Sequence, residues 1–152
     1  MDKQFELNAQ KISDACAVIV NDICQALDEY VSSCTAVIQD MNQDISNAEL
    51  DSMMMNIPAI LYYVKAEREK VGIKMDLAKK VKDDKWNEAF LAAEGNVTNQ
   101  KVQANSATME EAFDCIVYER AYKMIEDRES MAFELYQAIK KVAGRREGGF
   151  RE

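Results

Sequence analysis

From Ala59 to Glu94 the chain holds a single residue hostile to a helix, Gly72. One glycine costs ~1 kcal/mol relative to Ala and does not by itself end a helix. The stretch PAILYYVKAEREKVGIKMDLAKKVKDDKWNEAFLAAEG opens on the only proline of the chain, Pro58, and closes on Gly95-Asn96. Proline suits a first helical turn and glycine the position past a last one. The spacing therefore predicts a helix over about 58–94. At ~1.5 Å per residue it would be on the order of 55 Å long. A rod of that length needs a partner helix along it. Its surface carries opposite charges one turn apart, Lys65 with Glu69, Asp76 with Lys80, Lys79 with Asp83 and Lys80 with Asp84. Each such pair adds only ~0.2–0.5 kcal/mol, but together they favour the helix where packing is thin. Gly72 fits a close helix crossing.

Two further helices supply partners. Ile12, Cys16, Ile19, Ile23, Leu27, Tyr30, Cys34, Val37 and Met41 recur in steps of three and four, which predicts an amphipathic helix over about 10–43. Asp14, Asp22, Asp28, Asp40 and Asp44 lie away from that apolar stripe. They form either a solvated outer face or a docking surface for a basic partner. Ser46 with Glu49 has capping-box spacing, so a short helix begins near Asn47 and carries Met53, Met54 and Met55 as a packed joint. Asn56-Ile57-Pro58 ends it, because a residue before proline is pushed out of helical geometry. Residues 96–107 read as a polar connector with room for a short helical turn. Thr108 with Glu111 repeats the capping-box spacing and opens a last helix over about 109–143. There Val117, Ala121, Met124, Arg128, Met131, Leu135, Ala138 and Val142 follow a heptad seam, a coiled-coil signal. Arg128 interrupts it, and a lone polar group in a seam can fix register or oligomer state.

The fold class is therefore all-α: a long antiparallel helical hairpin, about 58–94 and 109–143, with an additional N-terminal amphipathic helix. At 152 residues the length is that of a single helical domain. Residues 1–45 form its acidic N-terminal part, and 144–152 a Gly-rich, charged, flexible tail.

Net charge is −8, and residues 1–52, with ten acids and two bases, account for all of it. Indiscriminate DNA binding is disfavoured, while a local basic face is not. The chain has no histidine, which removes the usual base near neutral pH and the commonest transition-metal ligand. Cys16, Cys24, Cys34 and Cys115 form no C-x-x-C pair and read as buried thiols rather than metal or redox groups. No phosphate loop, G-x-S-x-G or Cys–His pair is present. The expectation is no catalytic residue, no metal and no cofactor. No apolar run reaches the ~18 residues of a membrane span, and the first residues lack a secretory pattern. The expected location is the cytoplasm.

On a wheel of ~100° per residue, Arg68, Lys79, Lys82 and Trp86 share a narrow, acid-free arc inside the apolar face of the central helix. In one reading these cations snorkel along the core edge and Trp86 is core. In the other they track a single-stranded nucleic acid, the cations on phosphates and the indole under a base.

The run from Ile57 to Gly95, then NVTNQKVQAN, then ERAYKMIEDRESMAFELYQAIKKVAGRR, resembles the phage UvsY-like recombination mediator family. The similarity covers about 57–146. It lies in an A-E-x-x-K-rich helix, a K-x-x-K-W segment, a Gly turn, a K-x-x-A step and a last helix ending in bases. The resemblance implies an oligomeric helical protein that binds single-stranded DNA. It also implies partners: a RecA-like recombinase to be loaded and a single-strand binding protein to be displaced. The host cytoplasm would be its place of action if a phage encodes it. Family members carry a Lys-x-Arg followed by aromatics on the DNA-contacting helix. Here the matching region reads Lys82-Asp83-Asp84-Lys85-Trp86, with the second base displaced and two acids between. The resulting contact set is Arg68, Lys79, Lys82, Lys85, Trp86 and Lys101, with the seam Val117, Ala121, Met124, Arg128, Met131 and Leu135 holding a homo-oligomer. The alternative is a helical adaptor or structural phage protein acting through protein–protein contacts.

Overall fold

A computed structural model describes residues 2–40 and 44–148. The described residues are all-α, with four helices and no strand: α1 (Lys3–Gln39), α2 (Asn47–Ala92), α3 (Val97–Ala107) and α4 (Met109–Gly148).

Helix α1 starts well before the expected boundary near residue 10. Asp2 caps it, its carboxylate accepting the Gln4 N–H at 3.0 Å. Gln4 then bonds Asn8 at 3.0 Å and Gln10 bonds Asp14 at 2.8 Å, each one turn on. Local polar bonds thus hold turns that carry no apolar periodicity. Met41, the last position of the expected stripe, lies outside the described residues.

Helix α2 opens on the capping box read from Ser46 and Glu49. The Glu49 N–H donates to Ser46 Oγ at 3.1 Å and the Ser46 N–H to Glu49 Oε2 at 2.8 Å. It does not stop at Ile57. Pro58 sits inside one continuous helix, and the expected start at 58 is corrected to 47. Pro58 removes one helical N–H. Leu50, Met53 and Ile57 before it and Val64 after it are all buried on one face, and their packing outweighs that loss.

The end of α2 is closed by side chains. Gly95 takes φ 105°, the left-handed conformation a residue with a side chain resists. Asn96 caps α3 through the Asn99 N–H at 2.9 Å. The Gln100 and Gln103 amides, both on α3, reach back to the carbonyls of Ala93 and Glu94 at 3.1 Å each. Ala93 and Glu94 lie just past the last residue of α2, so these bonds tie α3 to the turn that follows α2. The second capping box does not form. The Thr108 hydroxyl donates to the Ala104 carbonyl at 2.9 Å, closing α3 instead of opening α4. Helix α4 continues to Gly148, past the expected end at 143, so 144–148 are helical rather than tail. The rest of the expected tail, 149–152, lies outside the described residues.

The chain divides into two compact units, and single-domain length had not separated them. Unit 1 combines Met1–Ile19 with Glu69–Lys123, and unit 2 combines Val20–Arg68 with Met124–Glu152. In unit 1, α2 and α4 run antiparallel: Lys85 bonds Glu111, and the Tyr122 ring covers Gly72, where an added Cβ would stand 3.2 Å from it. That is the close crossing expected at Gly72. Cys16 Sγ donates to the Val117 carbonyl at 3.4 Å, fixing α1 on α4. In unit 2, α2 and α4 are again antiparallel, Arg68 meeting Glu126 and Arg146 meeting Asn47.

The two cores differ in substance. The buried apolar residues of unit 1 are small: Cys16, Val71, Ala104, Cys115, Val117 and Ala121. Unit 2 buries Val20, Ile23, Leu27, Leu50, Met53, Ile57, Ile125 and Ile139.

The heptad seam of α4 is not one surface. Val117 and Ala121 are buried in unit 1, and Leu135 packs against the core of unit 2. Met124 and Met131 are 37 % and 65 % exposed. Arg128 is half-buried and bonds the Asp28 carboxylate of the same chain. The core-facing line is Val117, Ala121, Ile125, Ala132 and Ile139, which keeps the 3.6-residue period of a straight helix. A strict 3.5-residue seam drifts ~20° per heptad from that line.

Candidate nucleic-acid interface

The six expected contact residues divide between the two units. Lys79, Lys82, Lys85, Trp86 and Lys101 belong to unit 1, and Arg68 belongs to unit 2.

Arg68 is withdrawn from the set. Its Nη1 lies 3.0 Å from Glu126 Oε1 and its Nε 3.2 Å from Glu129 Oε2, with 14 % of the side chain exposed. Helical spacing placed Arg68 beside the apolar face correctly. What it could not show is that α4 presents two carboxylates one turn apart at that level. A guanidinium held by two carboxylates has no charge left for a phosphate.

Lys85 is also committed. Its ammonium bonds Glu111 at the start of α4. That hydrogen bond is the main cause that raises the Lys85 pKa and lowers that of Glu111.

Trp86 and Lys82 line one groove in unit 1, of about 520 Å³, with Asn105, Met109 and Phe113 on its other sides. The indole N–H donates to Asn105 Oδ1 at 2.8 Å, and the ring stacks on Phe90 at 5.2 Å with planes 12° apart. Trp86 is thus oriented before any ligand arrives, and it is half-buried rather than core. Lys82 is half-buried at the groove, while Lys79, one turn earlier, and Lys101, one turn before Asn105 on α3, are exposed. Among the described residues none of these three lysines makes an ion pair. Asp83 also lines the groove, so its field is mixed. Asn105 and Phe113 were not foreseen. Phe90 lies one turn from Trp86, a spacing that does mark a stacking pair. Asn105 sits in a connector whose sequence carries no periodic signal.

Unit 2 has a groove of its own, of about 730 Å³, between α2 and α4. Pro58, Tyr62, Phe133 and Tyr136 line it beside Lys65 and the Arg68 ion pairs. Tyr62 and Phe133 are 81 % and 51 % exposed.

Other chemistry is sparse. All four cysteines are buried and unbridged. Burial, and then the Asp28 carboxylate, push the Cys24 thiol up to about 11, and burial raises Cys16 and Cys34. Among the described residues no three His, Cys, Asp or Glu side chains gather as a metal site. No described helix is long and apolar enough to cross a membrane.

Comparison with known proteins gives no match to a family model, a curated protein or a solved structure.

Proposed function

We propose that this chain is a non-enzymatic, single-strand-binding recombination mediator whose nucleic-acid contact lies in unit 1 at the Lys82–Trp86 groove. The observation that carries this reading is an oriented indole beside an ammonium, that of Lys82, which pairs with no carboxylate among the described residues. Stacking on an aromatic side chain is worth ~1–3 kcal/mol per base, and each lysine near the strand neutralises a phosphate. Lys79 and Lys101 extend the cationic surface on either helix. In this reading the exposed Asp14 and Asp22 of α1 serve contacts with a RecA-like recombinase or a single-strand binding protein, in the cytoplasm. Titration of Trp86 fluorescence with oligo(dT) tests it, with quenching expected in the wild type and weaker binding in Lys82→Ala.

One observation favours a second reading, a helical adaptor. The unit 2 groove presents exposed aromatic rings, which protein interfaces use more than solvated surfaces do. Capture of a protein partner that Tyr62→Ser abolishes and oligonucleotide leaves untouched would support it.

A further inference from the structure

The Lys82–Trp86 groove holds a carboxylate that phosphate binding does not use. Asp83 is one of its walls, and among the described residues it pairs with no cation. At ~100° per residue Lys82 and Asp83 stand on opposite sides of Trp86, about 40° and 60° from it. A ring stacked on the indole therefore lies between an ammonium and a carboxylate. Phe90 covers one face of the indole and is not a wall of the groove, so the other face is left for that ring.

Asn105 adds a donor. An indole N–H can only donate, so the Asn105 carbonyl oxygen must face it, at 2.8 Å. That bond fixes which way round the amide stands. Its NH₂, which bonds nothing else among the described residues, is the group left for a ligand.

The four bases meet such a rim differently. Guanine alone carries two adjacent donors on its Watson–Crick edge, N1–H and the N2 amine, beside the O6 acceptor. Two parallel N–H groups match one carboxylate, as those of a guanidinium do. Adenine and cytosine set a ring-nitrogen lone pair next to their amine, and thymine sets a carbonyl on each side of its single N–H. In those three the neighbouring lone pairs oppose the carboxylate.

We propose that this groove is selective for guanine. The base stacks on Trp86, its N1–H and N2 amine donate to Asp83, and its O6 accepts from the Asn105 amide. Lys82 meets a phosphate of the same strand. The inference rests on the reading of the groove as a single-strand site and adds a base preference to it. Unstacked bases of single strands are recognised in this way, by an aromatic face and hydrogen bonds to the Watson–Crick edge. It also gives Asp83 a use, since a carboxylate beside a bare phosphate chain only weakens binding.

Fluorescence anisotropy of short labelled strands at low salt tests it on the full chain. A dT strand with one central guanine should bind about five-fold tighter than the all-thymine strand, the low end for a bidentate base contact. A central adenine, an equally large stacking surface, should give no such gain. Inosine, which lacks the N2 amine, should lose most of it. Asp83→Asn should bring the guanine and all-thymine strands to equal affinity while both still bind. Equal binding of all strands by the wild type overturns the guanine preference and leaves the single-strand site standing. A gain that adenine or inosine matches, or that survives Asp83→Asn, overturns it too, because stacking alone would then explain the gain. Failure of every strand to bind overturns the single-strand reading and the preference together.

Discussion

Arg68 Nε lies 3.2 Å from Glu129 Oε2, and only 14 % of each side chain is exposed. Removing one partner of a buried ion pair leaves the other desolvated and uncompensated, at a cost of ~3–5 kcal/mol when burial is complete. Here some solvent reaches the pair, and Glu126, the second acceptor, is 45 % exposed. Arg68→Ala should therefore destabilise the protein by about 2–3 kcal/mol in urea unfolding. It should leave oligonucleotide affinity unchanged for the folded protein. A many-fold loss of affinity at full folding would return Arg68 to the binding surface.

Lys85 and Glu111 give unit 1 a pH signature. The Lys85 bond holds the Glu111 carboxyl below its ordinary pKa. Its contribution is complete above the ordinary carboxylate value and is lost as pH falls through the lowered folded value. The raised Lys85 amine works in the opposite sense, contributing fully below its ordinary value and losing that contribution as pH rises through the raised one. Melting of wild type and Glu111→Gln between pH 7 and 3 should show the wild-type advantage shrinking toward acid. A constant difference across that range contradicts the pairing.

Pro58 is a helix-interior proline with its ring exposed. Alanine restores an N–H to the helical ladder and removes a ring that a helix interior disfavours by ~3 kcal/mol. The unfolded chain gains freedom in exchange, which offsets up to ~1 kcal/mol. Pro58→Ala should stabilise the protein by about 2 kcal/mol in chemical unfolding. A loss of stability would mean that Pro58 sets a bend the packing of unit 2 needs.

The long helices were legible because their signals are periodic. The stripe from Ile12 to Val37, the capping box at Ser46 and the stop at Gly95 all rest on local rules that the structure follows. The start of α1 was hidden because Asp2 and the glutamine–asparagine bonds leave no apolar pattern. Pro58 misled because local propensity argued for a break, whereas the buried run Leu50, Met53, Ile57 and Val64 crosses it. The candidate site was legible in part. Lys82 and Trp86 do share a groove, but Arg68 and Lys85 meet carboxylates on α4, a relation no single-helix wheel contains.

The unequal cores predict unequal opening. Among the described residues, those that unit 1 fully buries are small, whereas unit 2 buries several Leu and Ile. At ~0.8 kcal/mol per buried CH₂ the difference is large. Amides of 73–92 should exchange hydrogen faster than those of 50–64 on the same helix, because local opening follows local packing. Equal protection along α2 would show that the helix opens as one unit.

The most direct test of the account is the affinity of a labelled single-stranded oligonucleotide measured across salt, from ~50 mM upward, where phosphate contacts are strongest at the low end. Three contacts, from Lys79, Lys82 and Lys101, give a slope of log affinity against log salt of about −2, and Lys82→Ala lowers its magnitude by about 0.7. Binding with that slope, accompanied by quenching of Trp86, is the predicted result. Absence of binding at ~50 mM salt, or binding that Lys82→Ala leaves unchanged, would contradict it.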